Sequence, residues 1–406
     1  MDRELTKAPN RFEPQLVPGS KEPTATSVRP ERVDVAVIGA GQAGLAIGHF
    51  LGRQGRRFVI LEAADAVGTA WRSRWDSLVL FTPRRFDALP GLEFPGDPDG
   101  YPTRDEVIAY LEQYQAAFDL PIEFNSAVRS LTTADDTFRI ELDDRQVVAD
   151  QVVVATGPFH QPRIPEVAAQ LAPEVFQLHS AGYRRPGDVP GGRVLIVGGG
   201  NSGFQIAKEL SASHAVELAV GSRQTPLPQR VLGRDLFWWL TKLGVLTKTV
   251  ESRIGRRARD RDTLIGSSPR ELKRRHGVTL RSRALRASGR TITFADGSEQ
   301  EFDAVIWATG YRPDHSWIHI PVLHTESGPR HRRGVTDVPG LYFLGLSWQH
   351  TRGSALLGWV KDDAEFIATK IDAAVPAHAA AATTDRPQPV APHAPPAAGT
   401  TERPNS

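Results

Sequence analysis

The chain has 406 residues, a net charge of +2 and no cysteine. That length accommodates two or three domains with cores of their own, and a near-neutral charge gives no reason to expect a nucleic-acid partner. Without cysteine this sequence forms no disulfide, no thiolate metal site and no dithiol redox centre, so any redox chemistry must sit on a bound cofactor. A content of 40% hydrophobic and 24% charged residues is that of a globular protein. No run approaches the ~20 apolar residues of a transmembrane segment. No secretory apolar region opens the chain, so a cytoplasmic location is expected.

Residues 1–30 are polar, proline-rich and aperiodic, and read as an N-terminal arm. The pattern starts with VDVAVIGAGQAGLAIGHFLGRQGRRFVILE, Val33 to Glu62. Val33–Ile38 is an apolar, β-branched run suited to a buried parallel strand. Gly39, Gly41 and Gly44 follow as G-x-G-x-x-G, with Gln42 and Ala43 opening a helix whose apolar face holds Ile47, Phe50 and Leu51. A second apolar run, Phe58–Leu61, ends at Glu62. Strand, glycine turn, helix, strand and terminal acid together are the arrangement that binds a dinucleotide. The glycines admit the pyrophosphate to a helix N-terminus, and the acid accepts hydrogen bonds from a ribose diol.

Next comes an irregular stretch rich in aromatic residues and proline, with Trp71, Trp75, Phe81, Phe86 and Phe94. Thr103 and Glu106 have the spacing of a capping box, which predicts a helix carrying Val107, Leu111, Tyr114 and Phe118. Short strands are expected near Ala127–Leu131, Phe138–Leu142 and Gln146–Val148, with a turn at Asp143–Asp144. A further strand, Gln151–Ala155, ends in Ala155-Thr156-Gly157.

The series of parts then restarts. Arg193–Val197 is a strand; Gly198, Gly200 and Gly203 repeat G-x-G-x-x-G around Asn201 and Ser202; Val216–Val220 is the next strand. A hairpin strand at Thr291–Phe294 and a strand at Phe302–Trp307 lead to Ala308-Thr309-Gly310. From Gly39 to Gly157 and from Gly198 to Gly310 the same parts recur over similar lengths, and this internal repeat weighs more than either glycine motif alone. The fold class expected is α/β: two Rossmann-like, three-layer ββα dinucleotide-binding domains, the first discontinuous with the second inserted. The expected boundaries are 31–160 and 311–373 for the first domain and 161–310 for the second. A strand at Leu341–Leu344 should return to the first domain, a helix at Ala355–Ile371 should close it, and the Ala/Pro/Thr-rich residues 374–406 read as a disordered tail.

The two copies differ where the ribose would lie. Glu62 suits a bare ribose and would repel a 2′-phosphate, whereas the second copy has Ser222 and Arg223, able to grip one. FAD is therefore expected on the first copy and NADPH on the second. The alternative for Arg223 is a solvated surface arginine.

At this point the chain resembles the class B flavoprotein monooxygenases over roughly residues 31–372. The resemblance rests on GAGQAG at 39–44, GTAWR at 68–72, ATG at 155–157, GGGNSG at 198–203, ATGYRPD at 308–314 and LYFLG at 341–345. The run LFTPRRFDALPGLEFP, followed by GYPTRDEVIAYLEQY, is similar to the plant indole-3-pyruvate monooxygenase branch and to bacterial flavoproteins labelled as linked to cation transport. The family's linker fingerprint is partly matched by His179, Ser180 and Tyr183, with Val175 and Pro173 departing from it. Tyr183 stands where Baeyer–Villiger enzymes have tryptophan, and the asparagine that many flavin-containing monooxygenases place near the flavin is missing.

The resemblance implies FAD and NADPH as cofactors, with O2 and a small organic molecule as substrates. One oxygen atom would be inserted through a flavin C4a-(hydro)peroxide. It further implies flavin-side roles for Trp71 and Arg72, an adenine contact at Val128, and cofactor contacts at Thr156, Gly157, Thr309, Gly310 and Gly345. Trp71 is equally readable as a core aromatic, and His179 as a hydrogen-bonding residue without a chemical role. A homo-oligomer is compatible with all of this. No histidine cluster has metal-ligand spacing, and no residue stands out as the general acid or base. DLFWWLTKLGVL at 235–246 has three open readings: a substrate mouth, a membrane-surface contact or burial. The arginine-rich 253–286 reads as a solvated face that could add to NADPH attraction. Two other functions stay open: an NADPH oxidase or reductase passing electrons to O2, a quinone or a protein, and a redox or nucleotide sensor that regulates transport.

Overall fold

The computed structural model describes residues 31–222, 224–259, 263–320 and 328–374. The N-terminal arm, Arg223 and all but the first residue of the expected tail lie outside these residues.

Two parallel sheets share one strand order. In the first, Ile122–Glu123, Phe58–Leu61, Glu31–Ile38, Gln146–Val154 and Leu341–Phe343 lie side by side, all parallel. In the second, Thr279–Arg281, Ala215–Ala219, Arg193–Val197, Ala304–Trp307 and Phe176–His179 do the same. The leading strand of each copy is central, flanked by its second strand and by the strand that ends in Ala-Thr-Gly. The fifth strand comes from near the C-terminus in the first sheet and from ahead of the glycine motif in the second.

Each sheet is the middle of three layers. Val35 and Val37 join Leu45, Ile47 and Leu51 of helix Gln42–Arg53 and Ile367 and Ile371 of helix Val360–Ala373 in one core. Ala36 and Ile38 point the other way, to Leu131, Phe138 and Ile140 of an antiparallel layer. In the second unit Val194 and Ile196 pack on Phe204, Ile206 and Leu210 of helix Asn201–Leu210, while Leu195 meets Ile292 and Phe294 of an antiparallel hairpin. Strands with both faces covered are nearly continuous in apolar residues because neither face meets water.

The strand expected near Ala127–Leu131 is Ser130–Ala134 and the one expected at Phe302–Trp307 is Ala304–Trp307; two further elements differ in extent for reasons visible in their contacts. The expected strands Gln146–Val148 and Gln151–Ala155 are one strand, Gln146–Val154. Its first half alternates in burial and pairs antiparallel with Thr137–Glu141; its second half is buried throughout and pairs with parallel neighbours. Exposed Asp150 sits at the changeover, tied to Arg32 at 2.7 Å, and breaks the apolar run without breaking the strand. The closing helix begins at Val360, not Ala355; a 3-10 turn at Arg352–Ala355 precedes it, with Thr351 accepting from Gly353 N–H.

The irregular stretch is held from behind by helix Arg104–Ala117. Tyr110 donates to the Leu92 carbonyl and accepts from Leu89 N–H, both at 2.7 Å, and Tyr114 donates to the Pro90 carbonyl at 2.6 Å. Arg104 donates to the Arg74 carbonyl and to Asp76. The capping box at its N-terminus is complete: Thr103 accepts from Glu106 N–H while Glu106 accepts from Thr103 N–H, and that bond holds the Glu106 carboxyl below its ordinary pKa. No helix among the described residues is long and apolar enough to cross a membrane.

Thr103→Ala is expected to lower the unfolding free energy by about 1 kcal/mol, read as a lower urea midpoint at unchanged slope.

Candidate active site

The turn after each leading strand is shaped by close packing. Gly39 has φ +106°, and a Cβ there would lie 2.8 Å from the Ala155 carbonyl oxygen. Gly198 has φ +137°, and its Cβ would strike the Ala308 carbonyl in the same way. Gly44 and Gly203 each lie against the carbonyl of their own leading glycine, so the helix can start directly over the strand end. The middle glycines differ: Gly41 and Gly200 have ordinary negative φ, and a Cβ on either would meet nothing within 4 Å. Neither packing nor conformation inside the chain demands glycine there, which fits a ligand that approaches the backbone closely.

Both helices start without a side-chain cap. By contrast Thr103, Asp235 and Ser268 cap the helices Arg104–Ala117, Leu236–Lys242 and Pro269–His276. Helix Gln42–Arg53 and helix Asn201–Leu210 therefore present free N–H groups and positive dipole ends, the donor set that phosphates need.

These two N-termini open onto a single cavity of about 740 Å3, lined by Gly41, Gln42 and Ala43 at one and by Asn201 and Ser202 at the other. Gly39, Glu62, Trp71, Val128, Thr156, Gly157 and Gly345 also line it. The expected residues of the first copy thus converge with the N-terminus of the second. Glu62 accepts from Ala40 N–H at 2.7 Å and from Ala64 N–H at 3.0 Å, one bond per oxygen. A carboxylate has about four acceptor positions, so two remain for a diol. Gln42 accepts from Trp71 Nε1 at 2.9 Å and donates to the Ala355 carbonyl at 3.0 Å, which fixes the indole at the cavity edge. Asn201 donates to the Thr263 carbonyl and accepts from Ile265 N–H.

Other expected residues lie off the cavity wall. The Arg72 guanidinium donates to the Val67 carbonyl and to Glu112. Thr309 donates to the Arg163 carbonyl, and Gly310 accepts from His179 Nε2 at 3.0 Å. His179 Nδ1 accepts from Ala181 N–H, so the ring is a neutral tautomer with its proton on Nε2, and burial lowers its pKa. Tyr183 is fully buried and donates to Glu209. His179 and Tyr183 therefore brace the second sheet. Beyond strand Ala215–Ala219, Ser222 lies beside Gln224, and the Gly221 carbonyl accepts from Arg283. No acid stands in that loop between Val220 and Gln224.

Sequence reasoning passed over much of the remaining wall. Leu78–Thr82, Phe159, His160, Gln205, Tyr311, Trp317 and Ala355–Leu357 all face the cavity. The aromatic content of the irregular stretch is the signal that could have found the first group. Arg74 lies over the Phe159 ring at 4.4 Å and donates to the Tyr311 hydroxyl at 2.7 Å, tying that stretch to the residues after both Ala-Thr-Gly motifs. The segment 235–246 backs the cavity: Phe237 is buried and stacks on cavity-lining Phe81 at 5.9 Å, while Leu243 and Val245 are exposed.

One buried acid stands out. Asp87 is fully buried and accepts from cavity-lining Thr82 at 2.6 Å; burial pushes its pKa up to about 8, against smaller lowering effects of Thr82 and Arg84. The folded chain holds this proton up to about pH 8 and the unfolded chain releases it near 3.8, so Asp87 makes stability fall as pH rises between those values. Asp87→Asn should remove that component: relative to the unsubstituted protein, its urea midpoint rises progressively toward pH about 8. Parallel midpoint curves for the two proteins would contradict the assignment.

Known proteins resemble this chain along most of its length. A family described as pyridine nucleotide-disulphide oxidoreductase matches residues 36–232. An oxidoreductase CzcO-like protein of Geobacillus kaustophilus is 46% identical over 341 residues, covering 84% of this chain and 98% of that protein. The indole-3-pyruvate monooxygenase YUCCA1 of Oryza sativa subsp. japonica is 29% identical, covering 79% of this chain and 88% of that protein. Among solved structures, a flavin-containing monooxygenase from Stenotrophomonas maltophilia matches with a TM-score of 0.72 and 34% identity, covering 84% of this chain and 99% of that one.

Proposed function

The chain belongs to the class B flavin-dependent monooxygenase family, and from that premise we propose that it uses FAD, NADPH and O2 to insert one oxygen atom into a small organic substrate. The observation that carries the proposal is that two uncapped, glycine-led helix N-termini open onto one cavity. Two dinucleotides held there would bring their redox ends together. The disulphide in the matched family's description finds no counterpart, because this sequence has no cysteine to exchange.

When bound, the two cofactors supply hydride transfer and the activation of O2. The protein's share is binding, orientation and exclusion of water. In this reading residues 31–160 and 311–373 form the FAD domain and 161–310 the NADPH domain. Helix Gln42–Arg53 directs its free N–H groups at the FAD pyrophosphate, with Gly41 allowing the approach and Glu62 accepting from the ribose. Trp71, Val128, Thr156, Gly157 and Gly345 border the same site. Helix Asn201–Leu210 serves the NADPH pyrophosphate through Gly200, Asn201 and Ser202, and Ser222 and Arg223 take the 2′-phosphate. The apolar wall from Leu78 to Phe81, backed by Phe237, keeps water from the reacting atoms and gives an apolar substrate its surface.

The direct test is NADPH consumption under 18O2 across a panel of amines, thioethers, aldehydes and aromatic keto acids, with product mass recorded. One 18O atom in a product is expected. NADPH oxidation that yields only peroxide, or reduces only a quinone or protein acceptor, with every substrate would instead favour an oxidase or reductase. Arg223→Ala is expected to raise KM for NADPH at least 10-fold more than KM for NADH, about 1.4 kcal/mol of selective binding. Equal effects on both would remove Arg223 from the phosphate site.

A further inference from the structure

We propose that Thr82 and Asp87 form a proton relay into the cavity, with the Asp87 carboxyl as the acid and the Thr82 hydroxyl as the group facing the reacting oxygen. Thr82 is almost wholly buried yet lines the cavity, and Asp87 lies directly behind it with Oδ1 2.6 Å from the threonine oxygen. The other carboxyl oxygen, Oδ2, is buried without a hydrogen-bond partner among the described residues. An ionised carboxylate in that position would leave buried charge unanswered, which proteins avoid unless the group has a task.

The groups around Asp87 leave it in that condition. Arg84, on the same turn, favours the charged form; its Nη2 donates to Glu106 at 2.5 Å, and its buried Nε makes no hydrogen bond to Asp87. Asp235, at the start of helix Leu236–Lys242, disfavours the charged form; its oxygens are taken by Tyr101, Gln229 and Phe237 N–H. Tyr110 is engaged by Leu89 and Leu92, and Lys361, on the closing helix, donates to the Ala88 carbonyl at 3.3 Å. Burial outweighs Arg84 and Thr82, and the carboxyl keeps its proton to about pH 8. In the structure the Thr82 hydroxyl donates to Asp87 Oδ1; a hydroxyl also accepts, so with the carboxyl proton on Oδ1 the bond reverses, Asp87 donates to Thr82, and the threonine proton is released toward the cavity.

The chemistry rests on the oxygenase reading. NADPH, O2, one proton and the substrate give NADP+, water and the oxygenated product. The hydride carries two electrons and one hydrogen, so one further proton is drawn in each turnover. The Thr82 O–H bond breaks toward the oxygen atom that leaves as water, and the Asp87 O–H bond breaks toward Thr82. No electrons pass through the pair, and Asp87 regains its proton from solvent before the next turnover. Release of hydrogen peroxide in place of oxygenation consumes one proton too, so the relay is measurable under either reaction.

The test uses oxidised holoenzyme and three variants. Infrared difference spectra should show a neutral carboxyl C=O band that is absent in Asp87→Asn and titrates near pH 8. Thr82→Val should keep this band and keep the rate of anaerobic flavin reduction by NADPH, but lower kcat under oxygen about 100-fold and abolish the fall in kcat above pH 8. Thr82→Ser should restore both rate and pH profile. The relay is overturned if no neutral carboxyl titrates near pH 8, if Thr82→Val turns over with the unsubstituted pH profile, or if it slows anaerobic reduction equally. Where no substrate is oxygenated, the same comparison is made on peroxide release, so failure of the oxygenase reading and failure of the relay give different results.

Discussion

The backbone of each leading glycine lies against the carbonyl of the alanine that follows the neighbouring strand: Gly39 on Ala155, and Gly198 on Ala308. No side chain fits in that gap, and the positive φ of both glycines would strain any other residue. The gap has to stay closed because the helix that follows must begin directly above the strand ends, where Gly44 and Gly203 again allow backbone to lie on backbone. From this contact follow the position of the two uncapped helix N-termini, the pairing of each G-x-G-x-x-G with its distant Ala-Thr-Gly, and the shared strand order of the two sheets. A motif of three glycines and a motif over a hundred residues downstream are thus two sides of one packing problem.

The second organising feature is the irregular stretch between Glu62 and Thr103. It has little regular structure of its own, and its backbone is held by side chains from helix Arg104–Ala117, chiefly Tyr110, Tyr114 and Arg104. Its other side is the cavity wall. Gln42, inside the first glycine motif, reaches both Trp71 on this stretch and Ala355 ahead of the closing helix. The first glycine turn, the wall and the C-terminal return of the chain are therefore tied together through one side chain. Their shared interior includes the buried Thr82–Asp87 pair.

The sequence made the repeated unit readable because its parts are local and periodic: β-branched runs, glycine spacing, and the helix face of Phe204, Ile206 and Leu210. The capping box of Thr103 and Glu106 was legible for the same reason. What escaped depends on contacts across the chain. The strand Gln146–Val154 read as two because its neighbours change halfway along and its burial pattern changes with them. The start of the closing helix shifted because Thr351 caps a 3-10 turn first. Arg72 shares a motif with Trp71 but points to Glu112, which no spacing rule shows. Thr82 and Asp87 carried no signal at all: a threonine and an aspartate in a proline-rich loop are ordinary until the fold buries both.

The central claim is that the two copies hold different nucleotides at equivalent turns, through the open space beside Gly41 and beside Gly200. It is tested most directly by measuring flavin stoichiometry and NADP+ affinity in Gly41→Val and in Gly200→Val, each confirmed as folded by circular dichroism. The account predicts that Gly41→Val purifies without flavin, while Gly200→Val keeps its flavin and loses NADP+ binding. A Gly41→Val protein that retains a full equivalent of flavin, or a Gly200→Val protein that binds NADP+ unchanged, would contradict it.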